Sequence, residues 1–354
     1  MQEYVFRTGP SHLMPHLDQY LQAAYQSGLL SASHRAPVFT ELYERVVQGF
    51  REKLNLPEEY RLLFFSSATE CWSVIAEGLF QSSSFHLYSG VFGERWYKHT
   101  LWQHSNVHGH ALEPGAALAE LDLTQWPHAG MLCLTHNETS NGTQISDEFL
   151  QRVRQQFPQS LIAVDATSSM AGRPCRWETA DVWYASVQKC FGLPAGLAVM
   201  ALSPKAIARA EAVGFEQQYN SILRSLQYEQ KRQTTHTPNV LGIHLLANVL
   251  ENEPAVEKRW PSLKERARNY YKTLEEHSRF APYVPEPGFR SETVICARGD
   301  EADIQRLHEK GREKGLIIGE GYRKVPGHTF RIANFPAIPI EGYTQVNQFI
   351  RDFS

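Results

Sequence analysis

Residues 181–202 read DVWYASVQKCFGLPAGLAVMAL, and this stretch gives the most direct indication of the fold. The apolar run VWYASV predicts a buried strand that ends beside Gln188 and Lys189. A second apolar run, LAVMAL, begins after the turn-forming residues 192–196. A lysine at the end of a buried strand is costly, because desolvation lowers its pKa and makes its neutral amine available as a nucleophile. The alternative is a lysine whose amino group reaches solvent.

Asp165 ends another apolar run, LIAVDAT, 24 residues before Lys189. That separation is about one strand, one connection and a second strand, so we expect both side chains at the carboxyl edge of one sheet. A buried carboxylate there would keep a pyridine nitrogen protonated, and a neutral amine beside it would form a Schiff base with an aldehyde. The alternative is a structural aspartate that caps the turn at Ser168 and Ser169.

Short apolar runs separated by helical or turn segments recur from residue 61 to residue 202. The expected strands are 61–65, 132–137, 161–167, 182–187 and 197–202. Such runs are typical of strands that are buried on both faces of a mostly parallel sheet. Helices are expected over 40–54, ended by Asn55 and Pro57, and over 70–80. The predicted fold class is therefore α/β, with a large domain built on a mostly parallel central sheet.

The pattern changes after residue 254, where a long, charged, amphipathic segment begins. The elements expected after it are a strand at 294–298, a helix near 303–314, a strand near 330–335 and a closing helix. These elements predict a second, smaller α/β domain. We expect the large domain to span 16–254, and the small domain to combine 1–15 with 255–354.

Composition excludes several classes of function. With 21% charged residues and a formal net charge of −3, the chain has no electrostatic reason to bind nucleic acid. It has no apolar run long enough for a membrane span and no secretory signal, so a cytoplasmic location is expected. The five cysteines include no CxxC pair and are predicted to be reduced core thiols. His104, His108 and His110 lack carboxylate or thiolate support, so they predict a polar loop and no metal site.

The segments VDATSSM and SVQKCFGLPAG resemble the aspartate and lysine motifs of the class V, fold-type I aminotransferases, which use pyridoxal 5′-phosphate (PLP). Within that class the chain is most similar to the phosphoserine aminotransferases. Three further segments resemble motifs of that family: GPSHLMP at 9–15, SHRAPVF at 33–39 and FRIANFPAI at 330–338. The resemblance covers nearly the full chain, and it implies a homodimer with shared active sites.

The resemblance assigns roles around the cofactor ring. It makes Lys189 the Schiff-base lysine, which also moves the substrate's α-proton, and Asp165 the partner of the pyridine nitrogen. Thr139, in HNETSNG, would bind the ring hydroxyl, and Phe92, in GVFGERW, would stack on the ring. Without the resemblance, Thr139 fits a turn residue before the Asn-Gly pair at 141–142, and Phe92 fits a core phenylalanine.

The resemblance also implies a cofactor-phosphate site between a strand and a helix, where backbone N–H groups at a helix amino terminus attract anions. The residues it assigns are Ser67, Ala68, Thr69 and Gln188, with His236 and Thr237 from the neighbouring subunit. Without it, Ser67 and Thr69 fit ordinary helix caps equally well.

Four residues are assigned to the substrate by the resemblance: His34, Arg35, Arg323 and Arg331. Arg331 would clamp the α-carboxylate with its planar fork, although it also fits a surface arginine. The chain departs from the family pattern twice. Residues 68–70 read ATE where the family carries a further arginine, and Tyr322-Arg323 replaces a His-Arg pair in a loop longer by two residues. Each charged hydrogen bond lost from a phosphate pocket would cost about 1.5–3 kcal/mol.

These assignments imply transamination between O-phospho-L-serine and 2-oxoglutarate, which yields 3-phosphohydroxypyruvate and glutamate in serine biosynthesis. The alternatives are a class V aminotransferase for another small or acidic amino acid and a class V lyase. Such lyases usually carry histidine where this chain has Gln188, and a reactive cysteine on a mobile loop. A PLP-less scaffold of the same fold is a third alternative, against which the joint presence of Asp165, Lys189, Thr139 and Arg331 argues. A nicotinamide dehydrogenase would need a GxGxxG motif between a strand and a helix, which we do not find.

Overall fold

The computed structural model describes residues 3–354, which form two main sheets, a two-stranded ribbon and eleven α-helices. The strands are β1 (Tyr4–Phe6), β2 (Arg61–Phe65), β3 (Ser84–Tyr88), β4 (Val107–Ala111), β5 (Met131–Thr135), β6 (Asn137–Glu138), β7 (Thr143–Gln144), β8 (Leu161–Asp165), β9 (Val182–Ser186), β10 (Ala198–Leu202), β11 (Ala281–Pro282), β12 (Val294–Arg298), β13 (Leu316–Glu320) and β14 (Thr329–Ala333). The helices are α1 (Leu17–Gln26), α2 (Pro37–Leu54), α3 (Ala68–Gly78), α4 (Val91–Gln103), α5 (Asp147–Gln156), α6 (Pro204–Val213), α7 (Ile222–Glu229), α8 (Val240–Asn252), α9 (Val256–Glu276), α10 (Glu301–Glu313) and α11 (Ile340–Arg351). In the part of the chain so described, no helix has the length and apolar character that crossing a bilayer requires.

The large sheet has seven strands in the order β2-β10-β9-β8-β5-β3-β4. Its pairings are parallel except that β10 runs antiparallel to both of its neighbours. Every residue of β5, β8, β9 and β10 is buried, because helices cover both faces of the sheet. The mostly parallel α/β sheet predicted from the apolar runs is therefore confirmed.

The carboxyl ends of β5, β8 and β9 meet at one edge of this sheet and end in polar residues. Thr135 pairs in register with Asp165, and Asp165 pairs with Tyr184. Ser186 ends β9, and Lys189 follows three residues later. Parallel strands bring their carboxyl ends together, so the topology collects these side chains at one edge.

Local sequence signals explain the two helices that lead into and out of β2. Helix α2 begins at Pro37, three residues before the expected start, because proline suits the first turn of a helix. It ends as predicted at Asn55, whose φ of 55° lies in the left-handed region. Helix α3 begins immediately after Ser67, whose side chain accepts a hydrogen bond from the backbone N–H of Glu70.

The histidine-rich stretch at 104–110 is not the polar loop that the sequence suggested. His108 and His110 lie in β4, which pairs with β3 at the edge of the large sheet. His104 follows α4 and stacks on Phe80 with 3.7 Å between ring centres. An edge strand can carry polar side chains, since one of its sides faces solvent, so its composition resembles that of a loop.

The small sheet has the order β1-β13-β14-β12-β11, and only its β1–β13 pairing is parallel. Strand β12 has the predicted bounds, and β14 begins one residue before its predicted start. Residues 4–6 thus join strands from the last quarter of the chain. The segment after β1 then runs to the large sheet, where the Met14 N–H donates to the Gly192 carbonyl at 2.8 Å.

Candidate active site

A cavity of about 200 Å³ opens at the carboxyl edge of the large sheet. Its wall combines residues that end or follow strands with residues from the first turns of α3 and α4 and from the segment after β1. The lining residues are Gly9, Pro10, Ala68, Thr69, Trp72, Phe92, Thr135, Asn137, Thr139, Asp165, Thr167, Ser186, Gln188 and Lys189. The two side chains expected to converge, those of Asp165 and Lys189, therefore lie in the wall of the same cavity.

Lys189 is buried, and its amino group points into this cavity. Its Nζ donates a hydrogen bond to Thr139 Oγ1 at 2.5 Å and lies 5.3 Å from the centre of the Phe92 ring. Burial lowers the pKa of Lys189 to about 8, although the negative charges of Asp165 and Glu138 oppose this shift. At pH 7 about a tenth of the amine is thus neutral and nucleophilic, far more than for a lysine with its ordinary pKa.

Asp165 is also buried, and protein donors hold both of its carboxylate oxygens. Oδ1 accepts from the Thr167 N–H at 2.9 Å, and Oδ2 accepts from the Tyr184 hydroxyl at 3.1 Å. The Tyr184 hydroxyl in turn accepts from the Trp72 indole N–H at 2.9 Å. These bonds fix the orientation of a carboxylate in the cavity wall. The bond from Thr167 also fits the alternative of an aspartate that caps the turn before Ser168.

Phe92 is positioned by a buried glutamate that the sequence analysis did not single out. Oε2 of Glu138 accepts from the backbone N–H groups of Phe92 and Gly93, both at 3.1 Å, in the first turn of α4. Oε1 accepts from the Ser140 N–H at 2.8 Å. Burial raises the pKa of Glu138, but these backbone donors and the helix terminus stabilise its charged form. The carboxylate thereby ties Phe92 to the residue next to Thr139.

The turn between β2 and α3 contributes Ala68 and Thr69 to the cavity wall. The Ala68 N–H donates to Ser186 Oγ at 2.7 Å, which joins this turn to the end of β9. Ser67 is not among the lining residues, and its hydroxyl caps α3. The Ser67 hydroxyl thus fits the helix-cap alternative, and a role of Ser67 at the cofactor phosphate stays a prediction.

Arg331 reaches the Thr139 side of the cavity from β14 in the small sheet. Its Nε donates to the Glu320 carbonyl and its Nη1 to the Thr139 carbonyl, both at 2.9 Å. Among residues 3–354, no carboxylate lies within ion-pair distance of this guanidinium. A half-buried guanidinium held only by carbonyl oxygens keeps its full positive charge available for an anion.

Comparison with known proteins identifies the family of the chain. The class V aminotransferase family model matches residues 4–334. The chain belongs to the class V aminotransferases. A phosphoserine aminotransferase of a Nocardioides species is 31% identical to this aminotransferase, over 94% of this chain and 90% of its own. The crystal structure of a phosphoserine aminotransferase from Cytophaga hutchinsonii is 30% identical, with a TM-score of 0.92 over 99% of this chain and 98% of that one.

The fold of this aminotransferase does not by itself select a substrate. An aspartate aminotransferase from Thermus thermophilus is 20% identical and has a TM-score of 0.82, covering 99% of this chain and all of that one. The same architecture thus accompanies different substrates, so the substrate has to be argued from side chains.

The cavity of the aminotransferase fits PLP, the cofactor that class V enzymes typically use. The hydroxyls of Thr135 and Thr167 are buried in its wall and lack a hydrogen-bond partner among the described residues. Buried polar groups normally find partners, so these two hydroxyls are matched to a polar ligand. The cavity wall also provides an amine for an aldehyde, a carboxylate for a ring nitrogen and an aromatic ring for stacking, in Lys189, Asp165 and Phe92.

Four predicted residues of the aminotransferase lie together outside the cavity of their own chain. The Arg35 guanidinium donates to Gln233 Oε1 at 3.0 Å and to the Thr234 carbonyl at 2.8 Å, two residues before His236. Burial first, and then the positive charges of Arg35 and His236, lower the pKa of His34. His236 stacks on the Tyr219 ring, with 4.1 Å between centres. Thr237 adjoins His236 in the wall of a separate groove.

Arg323 of the aminotransferase also lies apart from the lysine cavity. It lines a groove on the small-sheet side, together with residues of α10 such as His308 and Arg312. The preceding residue, Tyr322, is the one that approaches the cavity, since its ring meets the Phe92 ring edge-on at 5.4 Å.

Several lining residues of the aminotransferase escaped sequence reasoning, including Thr135, Asn137, Thr167 and Ser186. Their positions could have indicated a role in the site, because each residue lies at or just after the end of a strand in the parallel part of the sheet. Gly9 and Pro10 carried no such signal, since their segment reaches the cavity only through the small sheet.

Proposed function

We propose that this aminotransferase exchanges the amino group between O-phospho-L-serine and 2-oxoglutarate, yielding 3-phosphohydroxypyruvate and glutamate in serine biosynthesis. The observation that carries the proposal is Arg331, a guanidinium without a carboxylate partner among the described residues, bonded to the backbone of Thr139 beside Lys189. Such a group suits the α-carboxylate of an amino acid. The phosphoserine aminotransferases among the relatives, similar over nearly the full chain, support the choice of substrate.

In this proposal the cavity holds PLP through residues of this chain. Phe92 would lie against the ring, Asp165 would partner the ring nitrogen, and Thr139 would bind the ring hydroxyl. The phosphate would lie at Ala68 and Thr69, the turn at the amino terminus of α3. The residues completing this site are Ser67 and Gln188, with His236 and Thr237 from a second subunit.

When bound, PLP supplies an electron sink that makes the α-hydrogen of an amino acid acidic. The chain must then provide a base at that hydrogen. Lys189 Nζ is suited to this task, because burial brings its pKa to about 8 and Thr139 directs it into the cavity. Arg331 would fix the substrate by its α-carboxylate, so that the Cα–H bond faces this amine. The same lysine would return the proton to complete each half-reaction.

The lyase alternative needs a reactive thiolate, which the described cysteines do not provide. Cys190, next to Lys189, is buried and donates to the Ser168 carbonyl at 3.3 Å. Burial raises its pKa to about 12, and it also raises the pKa of Cys296 to about 12. Thiols that remain protonated are poor nucleophiles, so transamination is the better supported reaction.

We also propose a homodimer whose subunits share their active sites. His34, Arg35, His236 and Thr237 lie together away from the cavity of their own chain, where they could complete a neighbour's site. Large apolar side chains near them in sequence are exposed, as an unformed interface would leave them: Leu13, Leu21, Tyr25, Leu30 and Val38. We further propose a large domain over 16–254, a small domain from 1–15 and 255–354, and a cytoplasmic location.

The substrate proposal is tested by recording the absorbance of the purified protein with PLP while single amino donors are added. The donors are phosphoserine, glutamate, alanine and serine, each in a separate single-turnover experiment. Conversion of the cofactor to its amino form by phosphoserine and by glutamate supports the proposal. Conversion only by other donors would keep the reaction and change the substrate. The absence of an absorbance band from protein-bound PLP would favour the alternative of a non-catalytic scaffold with the same fold.

The shared site is tested by mixing two inactive variants, Lys189→Ala and Arg35→Ala, under conditions in which subunits exchange. If sites are shared, a mixed dimer has one intact site, so about a quarter of the wild-type activity returns at statistical exchange. If Arg35 serves its own chain, every site in the mixture is defective and no activity returns. Sedimentation of each variant alone checks that both still form dimers.

A further inference from the structure

Two arginines beside the cavity approach the ring of one aromatic residue, Tyr322. The guanidinium carbon of Arg95 lies 5.6 Å from the centre of the Tyr322 ring, and that of Arg331 lies 5.5 Å from it. The Tyr322 ring also meets the edge of Phe92 at 5.4 Å. We call Phe92, Arg95, Tyr322 and Arg331 the entrance cluster. Both cations are thus held against aromatic rings beside the cavity that contains Lys189.

Arg95 has no ion-pair partner in the part of the chain that the structure describes. It is exposed on α4, one turn after Phe92, and its guanidinium carbon lies 5.8 Å from the Phe92 ring centre. Its neighbour Glu94 instead forms an ion pair with Lys98. Within residues 3–354, no carboxylate lies within ion-pair distance of Arg95, and no acceptor bonds to its guanidinium. An arginine held by ring faces keeps its hydrogen-bond donors free for a ligand.

An acidic amino acid needs a second cation besides the one that binds its α-carboxylate. The turn at 67–70 provides none, since it reads Ser-Ala-Thr-Glu and its Glu70 carboxylate is negative. Arg35 of the same subunit is bonded to the carbonyls that precede His236 and does not line the cavity. In the proposed homodimer, the Arg35 that reaches this cavity would come from the neighbouring subunit. Within the subunit that supplies Lys189, Arg95 is therefore the guanidinium without an ion-pair partner among residues 3–354 that shares the aromatic neighbour Tyr322 with Arg331.

We propose that Arg95 binds the side-chain anion of the substrate, a phosphate or a carboxylate, and so makes the site selective for acidic amino acids. This inference rests on the proposed function, in which Arg331 holds the α-carboxylate. The two guanidinium groups then grip the two ends of one substrate. Tyr322 would set their spacing, because its ring lies near both guanidinium groups and meets the Phe92 ring edge-on.

The test compares Arg95→Gln and Arg95→Lys with wild type in single-turnover conversion of the bound cofactor, which resolves even slow donors. The apparent second-order rate constants for phosphoserine and glutamate should fall about 10- to 100-fold in Arg95→Gln, while those for alanine and serine should not change. Arg95→Lys should lie between, since it keeps the charge without the planar fork. The control is Lys98→Gln, which removes an exposed cation one turn further along α4 and should behave as wild type.

Two results would overturn the inference while leaving the proposed function in place. One is a wild type that prefers acidic donors and an Arg95→Gln variant that keeps that preference in full. The other is an equal loss for acidic and neutral donors together with a changed cofactor spectrum, which would make Arg95 a support for Phe92. A wild type that prefers alanine or serine would overturn the proposed function itself, and this inference with it.

Discussion

Lys189 Nζ and Thr139 Oγ1 lie 2.5 Å apart, joined by a hydrogen bond in which the lysine donates. The threonine hydroxyl donates in turn to Ser168 Oγ at 3.0 Å, and the Thr139 carbonyl accepts from Arg331. One residue therefore contacts both the proposed nucleophile and the proposed substrate clamp. Small displacements of the 137–144 ribbon would therefore affect both groups together.

Replacement of Lys189 by alanine should abolish covalent cofactor attachment and transamination while leaving the fold intact. Among the described residues its buried amine is hydrogen-bonded to Thr139 alone, so its loss removes a single hydrogen bond from the fold. Absorbance, activity and circular dichroism measure the three quantities. The control is Lys205→Ala, because burial lowers the pKa of Lys205 as well, yet it bonds to the Pro158 and Ser160 carbonyls far from the cavity. Full activity in the Lys189 variant would end the assignment.

The rate at which the cofactor-free protein captures PLP should rise with pH through a midpoint near 8. Only the neutral amine attacks an aldehyde, and burial lowers the pKa of Lys189 from its ordinary 10.5 to about 8. Between those values the unfolded chain binds more protons than the folded chain. The cofactor-free fold should therefore gain stability as pH rises over that interval, and Lys189→Met should lose this gain. Stopped-flow absorbance and urea unfolding measure the two effects, and a capture midpoint near 10.5 would refute the shift.

Exchange of Asp165 for asparagine should slow turnover about 100-fold or more while the cofactor stays bound. Asparagine keeps the shape and the bond from Thr167 but loses the charge that would hold a ring nitrogen protonated. Single-turnover rates and the spectrum of the bound cofactor test this. Tyr184→Phe is the matched control, because it removes one hydrogen bond to the same carboxylate and leaves its charge. Equal losses in the two variants would make Asp165 a structural residue.

Truncation of Arg331 to alanine should weaken substrate binding about 10- to 100-fold without removing the cofactor's absorbance. Among the described residues the guanidinium bonds to the carbonyl oxygens of Glu320 and Thr139 alone. Its removal should therefore mainly cost the interaction with the substrate's carboxylate. Arg331→Lys should recover part of the affinity, since it restores a charge but not a fork. The affinity is measured from the dependence of the cofactor's conversion rate on the concentration of the amino donor. Loss of cofactor from the alanine variant would instead mark Arg331 as structural.

A methyl group added at Gly9 should disturb the lysine directly. A Cβ there would lie 3.0 Å from Lys189 Cε, at a φ of +149° that residues with side chains rarely adopt. Gly28→Ala is the control, because its φ of +71° is also unfavourable but nothing lies within 4 Å of its added carbon. Both variants should lose about 1–2 kcal/mol of unfolding free energy through backbone strain. Only Gly9→Ala should slow cofactor capture. Equal capture rates in the two variants would show that the Lys189 side chain can move away from the added carbon without loss of reactivity.

The parts of the fold that the sequence predicts well are those dominated by burial. Strand β2 has its predicted bounds, and β9 ends within a residue of its prediction, because uninterrupted apolar runs mark buried strands. Strands β3 and β4 were missed, since SFHLY and VHGHA mix polar and apolar residues as loops do. The antiparallel direction of β10 also had no local signal, because strand direction depends on the path of the connection.

The candidate site divides in a similar way. Asp165, Lys189, Thr139 and Phe92 could be named in advance because they stand in motifs, and the structure places all four in one cavity wall. Glu138 and Arg95 could not be named in advance, because their contacts with Phe92 and with Tyr322, respectively, join segments far apart in sequence. The separate position of His34, Arg35 and His236 likewise depends on how remote parts of the chain pack.

The pairing of β1 with β13 also constrains when the enzyme can become complete. Gly9, which adjoins the Lys189 side chain, follows a strand whose pairing partner among the described strands is β13, at residues 316–318. During synthesis the lysine and its sheet emerge long before that anchor exists. A nascent or carboxyl-terminally truncated chain would present the lysine without this wall of its pocket. Loss of the last strands at one terminus should therefore weaken cofactor binding at a pocket whose wall includes residues from the other terminus.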